Sequence, residues 1–265
     1  MWKLTSVEKQ KICESYKAGE TSPQLALKFK VSAAAICGIL NRRKINIRSN
    51  SDAQHQRKCN LDEKVFDNLN EESLYWLGFI FADGCIVKRH GKSPELSFAL
   101  KNEDILHLYK FKNFLKSSHS LTYIKQYNTN RFGVRSVRLV SKLEEYGITE
   151  RKSLTAKVEN EKLYNSKHFW RGIIDGDGCI GTYKNRNKKY IRLELVGSRF
   201  IVTSFSNFVS DNIIKHHSNV RKHKSIFIIS FGGQTAIPVI KHLYFNCKIS
   251  LDRKKLLADF IIMPP

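Results

Sequence analysis

Two aspartates carry the strongest chemical signal in this chain. Asp83 stands next to last in LYWLGFIFADG, Asp177 next to last in HFWRGIIDGDG, and the two segments align at a spacing of 94 residues. Both have a Trp two positions before a Gly, an Ile two positions after it, and the string Asp-Gly-Cys-Ile. A period this long is not a solenoid repeat and marks two equivalent half-domains. Each copy also sets small residues four apart, Gly78 with Ala82 and Gly172 with Gly176, which a helix puts on one face a turn apart. Two such faces can meet at backbone distance, and Phe79, Ile80, Ile173 and Ile174 would then point into each half's own core. The aspartates fall at the helix C-termini, each followed by a Gly suited to ending the helix with positive φ. The helix dipole disfavours a carboxylate there by about 0.3–1 kcal/mol, and close packing of the helices adds repulsion between the two acids. A divalent cation reverses the sign. Hard oxygen ligands in a basic protein suit Mg²⁺, with water and phosphate oxygens completing its shell.

A single Asp-Gly also reads as a hairpin turn, because a strand is expected after each copy, at 85–88 and 179–183. Two copies, each with a Trp and paired small residues, favour the helix. Asp175, Asp177 and Gly178 resemble the start of a calcium loop, but Cys179 and Arg186 stand at ligand positions, so an EF-hand is rejected.

The elements around each motif follow from periodicity. EDILHLYKFKNFL and FIVTSFSNFVSDNI have helical spacing. Strands are expected in YIKQY and VRSVRLV around a turn at 128–133, in GTYKNRNKKYIRLEL around a turn at 185–188, and in VRKHKSIFIISF. A second repeat closes each half, TERKSL and LDRKKL, placing Lys152 and Lys254 69 and 77 residues after their aspartates.

Both motif segments resemble the LAGLIDADG motif of homing endonucleases, at 76–84 and 170–178, and the resemblance covers residues 61–265. The first copy departs from the second in having Phe81 where the second has Asp175. The resemblance implies an α+β fold, a pseudo-twofold pair of αββαββα half-domains at 61–154 and 155–265 whose antiparallel sheets form a DNA-binding saddle. It implies metal binding at Asp83 and Asp177, with Ala82 and Gly176 in the metal-binding set, and a basic residue near each active site, for which Lys152 and Lys254 are the candidates. Lys255 and Arg253 compete for that role. It also implies Mg²⁺ as cofactor, Mn²⁺ as a substitute, Ca²⁺ supporting binding without cleavage, and cleavage leaving 3′ overhangs. Lys88, Arg89, Lys125, Arg131, Arg135, Arg138, Lys184, Arg186, Lys188, Arg192, Arg221, Lys222 and Lys224 are expected to line the saddle and contact DNA.

Residues 1–48 read as three helices at 6–18, 22–29 and 32–43. Val7, Ile12 and Tyr16 lie on one face of the first, Gly19 ends it, Ser22-Pro23 opens the second, and Ile36, Ile39 and Leu40 face inward on the third. This layout, with the basic exit Arg42, Arg43, Lys44, resembles the helix-turn-helix of resolvases, invertases and transposases. A protein-contact module is the alternative. A polar linker is expected at 49–60.

The formal net charge is +22, with +8 in residues 1–60 and +14 in 61–265, so neither part is merely a basic tail. Such a balance calls for a polyanionic partner. No stretch approaches the roughly 20 apolar residues of a membrane helix, and MWKLTSVEKQ lacks a signal-peptide core. The six cysteines are scattered without a CxxC pair and are expected to be buried thiols. The reading is therefore a monomeric Mg²⁺-dependent endonuclease that cuts both strands of a long asymmetric DNA site. It would work inside a bacterium, a phage-infected cell or an organelle, without secretion or a membrane. A catalytically silent DNA-binding regulator and an RNA-splicing maturase are the alternatives.

Overall fold

A computed structural model describes residues 4–47, 59–150, 157–185, 188–215 and 218–263, with 184, 185, 188 and 189 by backbone alone. The chain divides into two compact units, Met1–Cys59 and Asn60–Pro265. Among the described residues no single helix is long and apolar enough to cross a membrane.

The first unit holds α1 (Ser6–Lys17), α2 (Ser22–Lys28) and α3 (Ala33–Arg42) around Ile12, Cys13, Tyr16, Leu25, Ile36, Ile39 and Leu40. Thr5 with Glu8 and Thr21 with Gln24 form reciprocal caps, and the Ser32 hydroxyl accepts from Ala35 N–H. The cap of α2 is thus Thr21, one residue before the expected Ser22, because the side chain at position 24 completes the box. Val7 is exposed rather than part of the inner face. Gly19 leaves α1 at φ +116°, as expected. Helices α2 and α3 are separated by residues 29–32 and differ in direction by 109°.

The second unit repeats one order of elements. Its first half has α4 (Glu71–Asp83), β1 (Cys85–Arg89), β2 (Lys92–Lys101), α5 (Ile105–Phe114), β3 (Thr122–Ile124), β4 (Thr129–Arg135) and α6 (Val137–Glu145). A short α7 (Glu161–Tyr164) leads into the second half: α8 (Lys167–Asp177), β5 (Gly178–Asn185), β6 (Lys188–Gly197), α9 (Arg199–Asn212), β7 (Arg221–His223), β8 (Ile226–Gly232), α10 (Ala236–Tyr244) and a terminal α11 (Asp252–Ile262). The antiparallel sheets have matching orders, β1-β2-β4-β3 and β5-β6-β8-β7.

Alternation explains each sheet. Leu96, Phe98, Leu100, Phe132 and Val134 are buried in the first, Leu193, Leu195, Ile229 and Phe231 in the second, and the intervening residues form an open face. Trp76 meets Phe111 at 4.8 Å and Trp170 meets Phe205 at 5.3 Å, so each half anchors its motif helix to its second helix through the same aromatic position.

The expected strand VRSVRLV is divided. Its first two residues end β4, and Ser136 then caps α6 by accepting from Leu139 N–H. The alternation of Val and Arg mimics a strand, but Leu139, Val140 and Leu143 are buried at helical spacing. VRKHKSIFIISF is a hairpin, β7 and β8, turning at Lys224 with φ +53°. Cys85 and Cys179 are exposed rather than buried, because each occupies an open-face position just after its aspartate motif.

The halves join along α4 and α8. A Cβ on Gly78 would stand 1.9 Å from Phe169 O, and one on Gly172 2.1 Å from Tyr75 O, so these backbones touch. Gly172→Ala is expected to destabilise the protein by about 3 kcal/mol or more. Gly181→Ala, which meets open space, should change stability by less than about 0.5 kcal/mol. Urea unfolding of both variants checks the contrast.

Candidate metal and nucleic-acid site

Helices α4 and α8 run to their last residues, Asp83 and Asp177, both exposed. The glycines that follow do not take positive φ. Gly84 has φ −71° and Gly178 φ −93°, extended values open to any residue. Their requirement is steric instead: a Cβ on either would lie 2.7 Å from the carbonyl oxygen of Ile80 or Ile174. The seam stays tight at Gly176, whose missing Cβ would stand 2.3 Å from Ala82 Cβ and 3.3 Å from Asp83 Oδ2. Asp83 therefore reaches over the residue that precedes Asp177, and the two carboxylates share one end of the helix pair.

That end suits a hard divalent cation. Among the described residues no group of three or more His, Cys, Asp or Glu side chains gathers to hold an ion. The side-chain donors at this end are the two carboxylates, and the Gly176 carbonyl lies 3.5 Å from the Lys254 ammonium, so water or phosphate must supply most of a cation's shell. Mg²⁺ tolerates such a shell and keeps several waters.

Lys254 lies behind Asp177. It is 3 % exposed, and its ammonium donates to the carbonyls of Ile174 (2.7 Å), Asp175 (2.7 Å) and Gly178 (2.6 Å). A cation here offsets the negative end of α8. Burial lowers its pKa, opposed by Asp175. The competitors point elsewhere: Arg253 pairs with Asp104 at 3.1 Å and Lys255 with Asp259. Lys152 lies outside the described residues.

A buried network that sequence reading missed supports the second motif. Asp175, 1 % exposed, accepts from Tyr75 OH (2.8 Å), Tyr244 OH (2.6 Å) and Leu251 N–H (2.7 Å). Burial raises its pKa against these hydrogen bonds. Burial and the Asp175 charge push both phenols well above the ordinary tyrosine value, so both remain donors. Tyr75 has one hydrogen and gives it to Asp175, so His107 Nε2–H donates to the Tyr75 oxygen at 2.9 Å. His107 Nδ1 is left without a proton and, among the described residues, without a partner. Arg171, fully buried, donates to the carbonyls of Ile249 (2.9 Å) and Leu243 (3.1 Å) and pairs with Glu71 at 3.3 Å. The Asp175 position was visible only as an acid in a motif. Its partners come from three other segments and leave no local signal.

The basic residues expected on the sheets divide into groups. Arg131 and Arg135 lie on the open face of the first sheet, and Arg192 and Arg221 on that of the second. Arg89 is exposed at the end of β1, Lys125 follows β3, and Lys224 forms the β7–β8 turn. Three residues fall off the open face. Lys88 is a neighbour of the core-facing Ile86 and pairs with Glu144 of α6 at 2.6 Å. Arg138 lies on α6 and pairs with Asp67 at 2.7 Å. Lys222 stands opposite Phe227, on the core side of the sheet edge. Each departs because strand parity or a helix start, not charge, decides which way the side chain points. Arg186 and the side chains of Lys184 and Lys188 lie outside the described residues. Arg42, Arg43 and Lys44 are exposed at the end of α3, where Arg43 donates to Gln10 at 2.8 Å.

Two αββαββα halves joined through motif-helix glycines, with an aspartate ending each motif helix, define the LAGLIDADG homing-endonuclease fold. The chain is similar to the LAGLIDADG meganuclease I-AabMI bound to uncleaved DNA, with 14% identity and a TM-score of 0.52 over 72% of this chain and 89% of that one. It is also similar to the LAGLIDADG homing endonuclease I-GzeII in complex with its DNA target, with 14% identity and a TM-score of 0.52 over 73% and 89%. A third likeness is to the meganuclease I-SmaMI bound to uncleavable DNA, with 14% identity and a TM-score of 0.51 over 73% and 88%. At this identity the likeness is one of fold. No family model and no curated protein matches the chain.

The histidine sets a pH dependence. Burial, followed by the charges of Lys110, Arg253 and Lys254, lowers His107 from 6.5 to about 3. The unfolded chain binds this proton below pH 6.5 and the folded chain does not, so the His107 contribution is present above pH 6.5 and is lost as pH falls toward 3. The slope is up to about 1.4 kcal/mol per pH unit. Denaturant unfolding at stepped pH should show a shallower dependence in His107→Gln, by up to about one proton.

Proposed function

We propose that the chain is a site-specific, divalent-metal-dependent DNA endonuclease that acts as a monomer and cuts both strands of a long asymmetric duplex. One observation carries this reading: the Asp83 carboxylate reaches over Gly176 beside Asp177, at a seam flanked by two sheets whose open faces present arginines. A duplex laid on those faces would bring one phosphodiester of each strand to the acids, and the sheet arginines would hold its flanks through phosphates and base edges. Asp83 and Asp177 hold the ions, with backbone oxygens at Ala82 and Gly176 as further ligands. A bound Mg²⁺ supplies an activated water and stabilises charge on the leaving 3′ oxygen. Lys254 keeps positive charge behind the second site, and Lys152 is the candidate for the basic residue that serves the first.

The first unit extends the footprint as a helix-turn-helix. The 109° change of direction between α2 and α3 suits that motif, with α3 in a major groove and Arg42, Arg43 and Lys44 at the phosphates.

Incubation with a randomised duplex library and Mg²⁺ tests the chemistry. Cleavage of both strands should fall to single-strand nicking in Asp83→Asn or Asp177→Asn, with loss at the affected strand of at least about a hundredfold. The double variant should not cut. Chelation should abolish cutting, Mn²⁺ restore it, and Ca²⁺ support binding alone. Binding without cuts by the unaltered chain would favour a regulator, and intron-dependent RNA splicing a maturase.

Replacing Arg42, Arg43 and Lys44 together with Ala should shorten the protected footprint at one end. It should also reduce the salt slope of binding by up to about 3, one for each phosphate that is no longer neutralised. Footprinting and titration at several salt concentrations measure both effects.

A further inference from the structure

Each open face holds an acid where attraction to a polyanion would exclude one. Glu95 of β2 is only 13 % exposed at its side chain and lies between two arginines of β4. Its Oε1 accepts from Arg131 at 2.6 Å, and its Oε2 accepts from the Nε and a terminal nitrogen of Arg135 at 3.2 and 3.1 Å. The strand makes room for this carboxylate, because a Cβ on Gly133, between the two arginines, would stand 3.0 Å from Glu95 Oε1. The second face has its own version. Glu194 Oε2 accepts from Arg192 and from Ser230 Oγ, both at 2.6 Å, and Ser230 in turn accepts from Arg221 at 3.2 Å. Burial pushes the Glu194 carboxyl up, but the bonds from Ser230 and Arg192 take it below its ordinary value, so it is ionised at neutral pH.

Attraction does not account for these acids, because each subtracts one charge from a surface that must neutralise phosphates. Orientation does account for them. A guanidinium is a rigid planar fork with five N–H donors: the two contacts of Arg135 with Glu95 fix its plane, and the single contacts of Arg131 and Arg192 tether one corner of theirs, leaving the other donors free. An arginine held in this way cannot swing to the nearest phosphate. A fixed fork matches the O6 and N7 acceptors of guanine in the major groove.

We propose that Glu95 and Glu194 are specificity-determining positioning residues, each holding the arginines of its own sheet in place to read guanine edges rather than phosphates. The proposal rests on the endonuclease reading of the open faces and deepens it. Each half-site accordingly contains at least one G·C pair that depends on one glutamate.

The test is selection of bound duplexes from a randomised library in Ca²⁺, using the full chain, Glu95→Gln, Glu194→Gln, Glu95→Asp and Arg131→Lys. Circular dichroism and thermal midpoints verify that each variant folds. Glu95→Gln should lose guanine preference by about fivefold or more at positions in one half-site only, and Glu194→Gln in the other half-site only. In Glu95→Gln the affinity for random duplex should rise, and the salt slope should steepen by about 1 to 2 as the freed arginines reach phosphates. Glu95→Asp should restore part of the preference. Arg131→Lys, which keeps the charge and loses the fork, should lose the same guanine positions with the salt slope unchanged. Glu95→Gln with the unaltered chain's base preferences, or with weaker binding to all sequences alike, would overturn the proposal while leaving the endonuclease reading intact. If the unaltered chain retains no duplex from the library, both fall.

Discussion

The contact of Gly78 with Gly172 determines the rest of the second unit. With each missing Cβ replaced by a carbonyl oxygen of the opposite helix at about 2 Å, helices α4 and α8 are as close as backbones allow. Two consequences follow. The sheets that continue from each helix must leave the same end of the pair, so their open faces flank one seam. The helix C-termini must also end side by side, which places two carboxylates and two negative helix ends together. Lys254, donating to the carbonyls at the end of α8, offsets part of that negative charge.

The pseudo-twofold relation is close in the backbone and broken in the chemistry. Residues 94 apart occupy matching positions, so the pairing of Phe81 with Phe169 and that of Asp175 with Tyr75 are the same contact seen from either side. One is an edge-on aromatic pair at 5.5 Å, and the other is a buried carboxylate accepting a phenol at 2.8 Å. The polar version is viable because Tyr244 and Leu251 N–H complete the shell of Asp175. It ties the start of α11 to α8 from one side, while Lys254 ties α11 to the carbonyls of α8 from the other. The end of the second motif helix is therefore held from the C-terminal segment, at the point where Asp177 emerges.

The open faces show the same economy. Their positive charge arises from the overall composition, but its useful part is narrower than a count of Lys and Arg suggests. Lys88 and Arg138 are neutralised on the helix side by Glu144 and Asp67. Arg131, Arg135 and Arg192 remain on the open faces, each shaped by a carboxylate, so the faces combine attraction with orientation.

Much of this was legible in the chain itself. The repeat of Trp, Gly, Asp-Gly-Cys-Ile determined the two halves, the small residues determined that the helices would touch, and the position of Asp83 and Asp177 at helix ends followed from both. The order of strands and helices followed from periodicity, but not every boundary did: the turn expected at 128–133 is strand β4, Lys125–Tyr127 of YIKQY form a 3-10 turn, and in VRSVRLV alternation of Val and Arg imitated a strand until Ser136 capped a helix. Tertiary structure alone decided what depends on contacts between distant segments. The partners of Asp175, the commitment of Lys254 to the end of α8, the steric rather than torsional need for Gly84 and Gly178, and the glutamates locking the arginines are all of this kind. The physical reason is that periodicity records which face of an element is buried, while hydrogen bonds and ion pairs depend on which atoms another segment brings within about 3 Å of it.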